Sequence, residues 1–236
     1  MKTGDLDVVY FVKAFPSSDL RYSIRSVAEN LEFHMLYIYG GKRYNIAPDR
    51  YYKIMNQKGA TKWDRVRNMY LEVCNNKYMS EDFILFHDDF FVMKHVKEIK
   101  PEYRGTISEH INDMRLRYGN KLSEYTKLLI NAEKLLKEAG KTTYSYELHK
   151  PFIFNRKKLK NILELYPKAH CIRSIYANYY EIGGKKVNDV KIFGKKANFD
   201  WKCEPIISTS DVITGSDNEY WNYIKKLFSE KCRFEA

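Results

Sequence analysis

The stretch that decides the fold runs from Asp82 to Val92 and reads DFILFHDDFFV. Its apolar run, Phe83 to Phe86, has no polar alternation, which is typical of a strand covered on both faces, as in a parallel sheet flanked by helices. A His-Asp-Asp triplet follows at positions 87 to 89. Carboxylates at the carboxyl end of such a strand lie where open α/β sheets bind ligands. An isolated Asp-Asp pair is more often a solvated turn, but the aromatic residues that follow argue against that interpretation.

The chain before this stretch has the pattern of a βαβ unit. Leu6 to Val12 predicts a first strand, and Met35 to Tyr39 predicts a second strand that ends at a Gly-Gly pair. Between them, apolar residues at helical spacing predict one buried helix face, formed by Leu20, Ile24, Val27, Ala28 and Leu31. Strand, helix and strand in this order predict the opening of an α/β fold. Lys42 and Arg43 then indicate either a phosphate-binding turn or an ordinary surface turn.

The composition indicates a globular protein. At 236 residues, 44% hydrophobic and 30% charged, the chain can bury a sizeable core. No apolar run approaches the roughly 18 residues of a transmembrane helix. The opening sequence MKTGDLDVVYFV lacks the pattern of a signal peptide, so we expect a cytoplasmic protein without a membrane span. The four cysteines have no metal-binding spacing, so we expect reduced thiols rather than disulfides or a zinc site.

No repeat or low-complexity linker divides the chain, so we predict a single domain over residues 1–236. Three parts are distinguished within it: residues 1–93, residues 94–140 and residues 141–236. The middle part predicts a helix from Ile107 to Leu116 and a long amphipathic helix from Leu122 to Ala139. We interpret these two helices as a helical insertion or lid.

The net charge of +11 is unevenly distributed along the chain. Residues 1–93 contain 13 Lys or Arg against 12 Asp or Glu, a balance of +1. Residues 141–196 contain 13 Lys or Arg against 4 Asp or Glu, a balance of +9. A basic surface concentrates polyanions such as nucleic acid or anionic lipid. A solvated lysine-rich face without a partner is the alternative interpretation.

The adjacent carboxylates Asp88 and Asp89 are costly unless a cation neutralises them. Mg²⁺ or Mn²⁺ prefers oxygen ligands and leaves positions for substrate phosphates. We therefore predict a metal ion at Asp89, with His149 as a second ligand and a diphosphate completing the shell; a structural His149 is the alternative. Lys62 and Arg65, near the start of a predicted helix, are candidates to grip a nucleotide, or they form an ordinary polar face.

Several enzyme classes are disfavoured because their motifs are missing. The sequence has no Gly-x-Ser-x-Gly elbow, which disfavours a serine hydrolase. It has neither a Gly-x-x-x-x-Gly-Lys nor a Gly-x-Gly-x-x-Gly motif. Hydrolysis of nucleoside triphosphates and hydride transfer are disfavoured accordingly.

Three blocks of the sequence carry a family resemblance. DVVY at residues 7–10, DLRYSIRS at residues 19–26 and FILFHDDFF at residues 83–91 occur in this order. They resemble successive blocks of the Stealth family of capsular polysaccharide sugar-phosphate transferases. The chain departs from that family at residues 11–13, where Phe-Val-Lys replaces Trp-Val-Asp, and at His87, where Asn is usual. The wider resemblance is to GT-A glycosyltransferases, and later segments are similar to predicted glycosyltransferases of bacteriophages.

The resemblance implies a GT-A-like (Rossmann-like) mixed sheet flanked by helices and a metal-dependent glycosyltransferase. Residues 1–93 would then hold the nucleotide-sugar donor through Arg21, Lys62, Arg65, His87 and Asp88. Asp89 would hold Mn²⁺ or Mg²⁺ together with His149. Residues 141–236 would hold the acceptor, through Arg173, Tyr176 and Lys191.

The charge distribution matches this division, because a basic acceptor half suggests a polyanionic acceptor. Modified DNA in a phage-infected cell would qualify, for example at a hydroxymethylated pyrimidine. A flipped base would need an aromatic stacking partner, for which Tyr176, Tyr179 and Tyr180 are candidates. An inverting mechanism needs a carboxylate base near the acceptor hydroxyl, and both Asp189 and Asp211 remain open. A sugar-phosphate transferase acting on polysaccharide and a non-catalytic nucleic-acid-binding protein are the alternatives.

Overall fold

The computed structural model describes residues 3–13, 18–41, 45–53, 61–119, 122–194, 197–214 and 216–236. Lys42 and Arg43, the suggested phosphate ligands, lie outside these ranges. The strands are β1 (Asp7–Val12), β2 (Leu36–Gly40), β3 (Arg50–Lys53), β4 (Asp82–His87), β5 (Phe90–Val92), β6 (Glu102–Tyr103), β7 (Phe152–Asn155), β8 (Lys185–Lys186), β9 (Lys191–Ile192) and β10 (Ile206–Thr209). The helices are α1 (Asp19–Asn30), α2 (Lys62–Asn75), α3 (Ile107–Tyr118), α4 (Glu124–Glu138), α5 (Arg156–Leu165), α6 (Ile172–Tyr179), α7 (Asp211–Thr214) and α8 (Glu219–Leu227).

The main sheet has the strand order β3-β2-β1-β4-β7. Its first four strands are parallel, and β7 runs antiparallel to β4. The chain moves outward from β1 to β3 and then returns to place β4 on the other side of β1. This reversal gives the 3-2-1-4 order of a Rossmann-like sheet, in which ligands bind outside the carboxyl ends of the strands at the switch point. The predicted α/β class, with a mixed sheet flanked by helices, is confirmed.

Both faces of β4 are covered, which explains its unbroken apolar run. Phe83 and Leu85 belong to a core cluster on one face of the main sheet. Ile84 and Phe86 belong to a second cluster on the other face, together with residues of α1. All four side chains have no exposed surface. Polar residues therefore appear only where the strand leaves the sheet, at His87 and the turn that follows.

The turn at residues 88–89 connects the main sheet to a smaller one. β5 begins directly after it and pairs antiparallel with β10, which in turn pairs parallel with β9. In that register Ser208 lies opposite both Phe90 and Lys191. The backbone N–H of Thr209 also donates to the carbonyl of Asp89, at 3.1 Å. Backbone pairing thus brings side chains from distant parts of the chain to this turn.

The helices predicted between residues 107 and 139 are present as α3 and α4. α3 starts at a capping box in which the Glu109 N–H donates to the Thr106 side chain, at 3.1 Å, and the Thr106 N–H donates to the Glu109 carboxylate. Both helices contribute buried residues to the main core, namely Ile107, Ile111, Leu129, Ala132 and Leu136. The pair interpreted as an insertion is therefore packed on the body of the domain. In the described part of the chain, no helix combines the length and apolarity that a membrane crossing requires.

A buried ion pair holds the C-terminal segment against α1. Arg25 donates to both carboxylate oxygens of Glu235, at 2.6 and 2.9 Å. It also donates to the carbonyls of Phe228 and Ser229, each at 2.7 Å. The two paired side chains are only 7% and 2% exposed. Because the guanidinium and the carboxylate satisfy each other, neither charge is left uncompensated in the protein interior.

We expect Arg25→Met to lower the free energy of unfolding by about 3–5 kcal/mol, because it leaves the Glu235 carboxylate buried and unpaired. Urea denaturation of the full chain measures this. Lys157→Met is the matched control: it breaks an ion pair of 2.8 Å with Glu81, but that pair is exposed, so a loss below about 1 kcal/mol is expected. Equal losses for both variants would contradict the assigned role of the Arg25 pair.

Candidate active site

A cavity of about 470 Å³ lies at the carboxyl end of β4. β4 and its turn contribute His87 and Asp89, and the helices α2, α3, α4 and α6 contribute further walls. Loops before β7 and β9 complete the lining with His149 and Asp189. The antiparallel direction of β7 explains the place of His149, because β7 begins beside the carboxyl end of β4. The cavity therefore forms where the strand order predicts a ligand.

His87 faces the cavity because side chains alternate along β4, which puts it on the same side as Phe83 and Leu85. Its ring packs edge-on against Phe90, with centroids 5.2 Å apart. Burial, followed by the positive charge of Arg173, lowers the pKa of His87 to about 3. The imidazole is therefore neutral at physiological pH.

Asp88 does not line the cavity, and the charges of Lys13 and of Asp19 in α1 act on it. It is 8% exposed. Burial and then the neighbouring charge of Asp89 raise the pKa of Asp88 to about 6, while Lys13 opposes the rise. The two adjacent carboxylates thus lie in separate environments.

Asp89 is held by two side chains of the smaller sheet. Lys191 Nζ donates to Asp89 Oδ2 at 2.7 Å, and Ser208 Oγ donates to the same oxygen at 3.1 Å. The side chains of Lys191 and Asp89 are 15% and 18% exposed. Burial raises the pKa of Asp89, but the charge and hydrogen bond of Lys191, together with the neighbouring histidines, outweigh it, so the net pKa lies below the usual value. The carboxylate is ionised and paired.

His149 and Asp189 form a second pair in the cavity. His149 Nδ1 lies 2.7 Å from Asp189 Oδ2. The backbone N–H groups of His149 and Val190 donate to Asp189 Oδ1, at 3.0 and 2.9 Å. Burial raises the pKa of Asp189, but these bonds to His149 lower it more, so the group is ionised. An ionised Asp189 accepts a hydrogen bond from Nδ1–H of His149. This leaves Nε2 as the basic atom of the neutral ring.

Arg104 and His110 lie beside this pair. Arg104 Nη1 is 3.9 Å from Asp189 Oδ2 and donates to His110 Nε2 at 3.1 Å. Nδ1 of His110 therefore carries the proton and donates to Ser145 Oγ, at 2.9 Å. Burial and then the charge of Arg104 lower the pKa of His110 to about 3, so this imidazole is also neutral.

The start of α6 forms another part of the cavity wall. Arg173 Nη1 donates to the carbonyls of Leu148 and Lys150, each at 2.8 Å. Its Nη2 is buried and has no hydrogen-bond partner among the residues that the structure describes. Cys171, the residue before the helix, has a left-handed backbone with φ of 54°. Such a conformation costs a non-glycine residue energy and is concentrated at functional sites.

The structure brings seven of the twelve predicted site residues into one cavity, namely Lys62, His87, Asp89, His149, Arg173, Asp189 and Lys191. Five do not line it, namely Arg21, Arg65, Asp88, Tyr176 and Asp211. In place of Arg65, the next-but-one residue Arg67 reaches the cavity from α2.

Three of these five have other contacts. Arg21 donates to the hydroxyl of Tyr22 at 3.0 Å. Tyr176 is 3% exposed and accepts the backbone N–H of Asn155 at 2.9 Å, so its place in the core does not support base stacking. Asp211 is exposed and lies 3.3 Å from Lys13 Nζ. Of the two candidate bases, only Asp189 belongs to the cavity.

The predicted metal ion stays a prediction, and the donor set around it fits poorly. In the ranges that the structure describes, no three His, Cys, Asp or Glu side chains are grouped to hold a metal ion. The remaining residues of the chain include none of these four types. Asp89 already has a cationic partner in Lys191, and His149 keeps only Nε2 as a possible ligand atom because its Nδ1 is paired with Asp189.

Sequence reasoning missed Arg104, His110, Arg117, Tyr125 and Glu147, which all line the cavity. One signal was readable: a histidine at position 110 follows Ile107 by three residues and precedes Ile111 by one, on the buried face of α3. A lone polar residue on an apolar face indicates a satisfied contact or a ligand site. The others carry no local signal, because their place depends on how α3, α4 and α6 pack.

Among the described residues of the basic segment 141–196, the cations that line the cavity are Arg173 and Lys191. Asn155 pairs with Asp82, the first residue of β4, so α5 starts at the opposite end of β4 from the cavity. Lys157 forms an ion pair with Glu81, the residue before β4, so it lies at the opposite end of that strand from the cavity. The cations in the cavity come instead from all three parts of the chain.

Comparison with known proteins finds weak structural similarity and no family assignment. No protein-family model and no curated protein matches the chain. A crystal structure of the glycosyltransferase GlyE from Streptococcus pneumoniae TIGR4 matches 54% of this chain and 42% of its own, with 7% identity and a TM-score of 0.32. The apo form of GlyE matches 78% of this chain and 45% of its own, with 9% identity and a TM-score of 0.39. The chain spans less than half of the GlyE chains, and TM-scores this low support no inference about the site.

Asp88 makes stability depend on pH. Its folded-state pKa lies above its unfolded value, so its contribution is present at low pH and is lost as pH rises through about 6. Asp88→Asn stays neutral, so we expect it to exceed the wild type in unfolding free energy by about 2–3 kcal/mol at about pH 8, with no gain at about pH 4. Urea denaturation at both pH values checks this, with exposed Asp5→Asn as the control. A gain that is equal at both pH values would rule out titration of Asp88 as its cause.

Proposed function

We propose that the protein transfers a sugar from a nucleotide-sugar donor to an acceptor hydroxyl. One observation carries the proposal: the carboxylate at the end of β4 and the His149–Asp189 pair line a single cavity that also holds six cationic side chains. These are Lys62, Arg67, Arg104, Arg117, Arg173 and Lys191. A basic group beside a concentration of positive charge suits a reaction in which a hydroxyl loses a proton and a diphosphate leaves.

His149 is the general base in this proposal. Its Nε2 would take the proton from the acceptor hydroxyl as the oxygen attacks the anomeric carbon. The bond from that carbon to the diphosphate oxygen then breaks, and the nucleoside diphosphate leaves with the electron pair. Asp189 holds the ring by Nδ1 and stabilises the imidazolium that forms, so it acts through His149 rather than on the substrate.

The cations are proposed to stabilise the departing diphosphate. Charge that develops on a leaving group in a water-poor cavity is stabilised strongly by preorganised cations. Arginine suits phosphate oxygens because its donors form a planar fork. The volume of about 470 Å³ lies within the usual range of about 300–1,000 Å³ for small-molecule sites.

The test is a screen of nucleotide sugars for binding and turnover. We expect at least one donor to raise the melting temperature and to be consumed slowly. We expect His149→Ala and Asp189→Asn to lower kcat by about 10²–10⁴-fold, because both remove general-base catalysis. Asp211→Asn is the matched control, since its carboxylate is exposed outside the cavity, and we expect a change below about twofold.

A larger loss for Asp211→Asn than for Asp189→Asn would reverse the assignment of the base. Failure of every nucleotide sugar to bind would leave no donor and contradict transferase activity altogether. The chain would then fit the non-catalytic alternative.

Sugar-phosphate transfer is a second candidate, favoured by the position of Arg104. Its guanidinium lies 3.9 Å from Asp189, next to the proposed base. In phosphoryl transfer the attacked phosphorus lies beside the base, so a cation next to the base contacts the phosphate. In inverting sugar transfer the diphosphate leaves from the side of the anomeric carbon that faces away from the base. The released nucleotide separates the two: a nucleoside diphosphate indicates sugar transfer, and a nucleoside monophosphate indicates sugar-phosphate transfer.

The acceptor is proposed to be anionic and to cross the mouth of the cavity, with DNA as a candidate. Lys62 and Arg117 line the cavity with exposed side chains. Phe193 is 48% exposed, and its ring packs edge-on against that of His149, with centroids 6.0 Å apart. An exposed aromatic next to the base provides a stacking surface for a sugar ring or a base, a role for which Tyr176 is badly placed.

We expect DNA affinity to fall with rising salt, because binding releases counterions. Replacing both Lys62 and Arg117 with Ala should reduce the slope of log K against log salt by about 2, at about 1 per phosphate contact. Replacing Lys157 and Lys158 is the control, since these residues follow β7 at the opposite end of β4 from the cavity. A wild-type slope near zero would exclude a polyanionic acceptor, and equal effects of both double variants would contradict binding across the cavity mouth.

A further inference from the structure

The carboxylate at the end of β4 already has a protein cation. Lys191 Nζ lies 2.7 Å from Asp89 Oδ2, and both side chains are largely buried. Ser208 Oγ donates to the same oxygen. Backbone pairing fixes this arrangement, because Ser208 pairs with Lys191 between β10 and β9 and with Phe90 between β10 and β5. The contact is therefore part of the sheet and not a chance meeting of long surface side chains.

A divalent ion at Asp89 would have to displace this lysine. A metal within coordination distance of Asp89 Oδ2 would lie beside the ammonium that the same oxygen holds, and like charges at such a distance repel strongly. The second predicted ligand, His149, could bind a metal only through Nε2, because its Nδ1 is engaged by Asp189. Asp189, which also lines the cavity, accepts from that ring and from two backbone N–H groups. The positive charge beside Asp89 therefore comes from the Lys191 side chain.

We propose that Lys191, held in place by Asp89, supplies the positive charge that a divalent metal would give to the donor diphosphate, so that the diphosphate binds without a metal ion. This inference rests on the proposed function of the cavity. An ammonium has three N–H donors, of which Asp89 uses one. Lysine is a common point-charge binder of phosphate. Asp89 is then a positioning residue, since it acts on the donor through Lys191.

The two arrangements predict opposite orders of importance for Asp89 and Lys191. If a metal bridged Asp89 to the diphosphate, Asp89→Asn would abolish binding, and removing Lys191 would make room for the metal and be tolerated. If Lys191 binds the diphosphate itself, Lys191→Ala removes the binding group. Asp89→Asn then leaves the ammonium in the cavity and only loosens its position.

The experiment measures the affinity of the 236-residue chain for UDP, GDP, ADP and CDP by calorimetry, with EDTA and then with Mn²⁺. We expect at least one diphosphate to bind with less than about a twofold difference between the two conditions. We expect Lys191→Ala to weaken binding about 10–100-fold, as for loss of a charge-assisted hydrogen bond. Asp89→Asn should weaken it only several-fold, and Lys191→Arg should retain most of the affinity.

Two further variants keep the outcome decisive. Lys191→Ala leaves Asp89 buried and unpaired, so the double variant Asp89→Asn with Lys191→Ala removes both charges and preserves the fold; it should also fail to bind. Lys186→Ala is the matched control, because its ion pair with Glu109, at 3.0 Å, is exposed and lies outside the cavity. It should bind like the wild type.

The failures of the inference and of the proposed function are distinguishable. Diphosphate binding that requires Mn²⁺, or that Asp89→Asn abolishes while Lys191→Ala retains it, would overturn the metal-free role of Lys191 and leave the transferase proposal intact. If no nucleoside diphosphate binds under either condition, the proposed function itself fails.

Discussion

The parallel pairing of β1 with β4 is the constraint on which the rest of the structure depends. It places β4 inside the main sheet, with both of its faces covered by core residues. A strand in that position cannot carry a charged side chain along its length, because no solvent or partner would compensate it. Charge can appear only where the strand leaves the sheet. The cavity therefore lies at the end of β4, beside the point where the strand order reverses.

The charges of the cavity are arranged so that it attracts anions. Each of its three carboxylates is already engaged: Asp89 by Lys191, Asp189 by His149, and Glu147 by the backbone N–H and hydroxyl of Ser174. Two of its histidines are neutral, because burial lowers their pKa values to about 3. The arginines remain charged, since their pKa lies far above neutrality. A phosphate group entering the cavity thus meets unneutralised positive charge.

The parts of this arrangement that follow from local pattern could be predicted from the sequence. The apolar run at Phe83 predicted a doubly covered strand, and the spacing of Leu20 and Ile24 predicted α1, as observed. The partners of the site residues could not be predicted, because they are set by strand register between distant segments. Lys191 and Asp89 are 102 residues apart and meet only through the pairing of β9, β10 and β5.

Asp88 and Asp89, the adjacent aspartates of the opening stretch, differ in pKa because they have different surroundings. In the turn after β4, Asp89 lines the cavity and Asp88 does not. Burial and then the charge of Asp89 raise the pKa of Asp88, because each carboxylate disfavours ionisation of the other. Lys191 pairs with Asp89 and helps to hold the pKa of Asp89 below its usual value, whereas burial raises the pKa of Asp88 to about 6. The sequence predicts a divalent cation beside these adjacent carboxylates. In the fold, the cation beside Asp89 is Lys191, which lies 102 residues further along the chain.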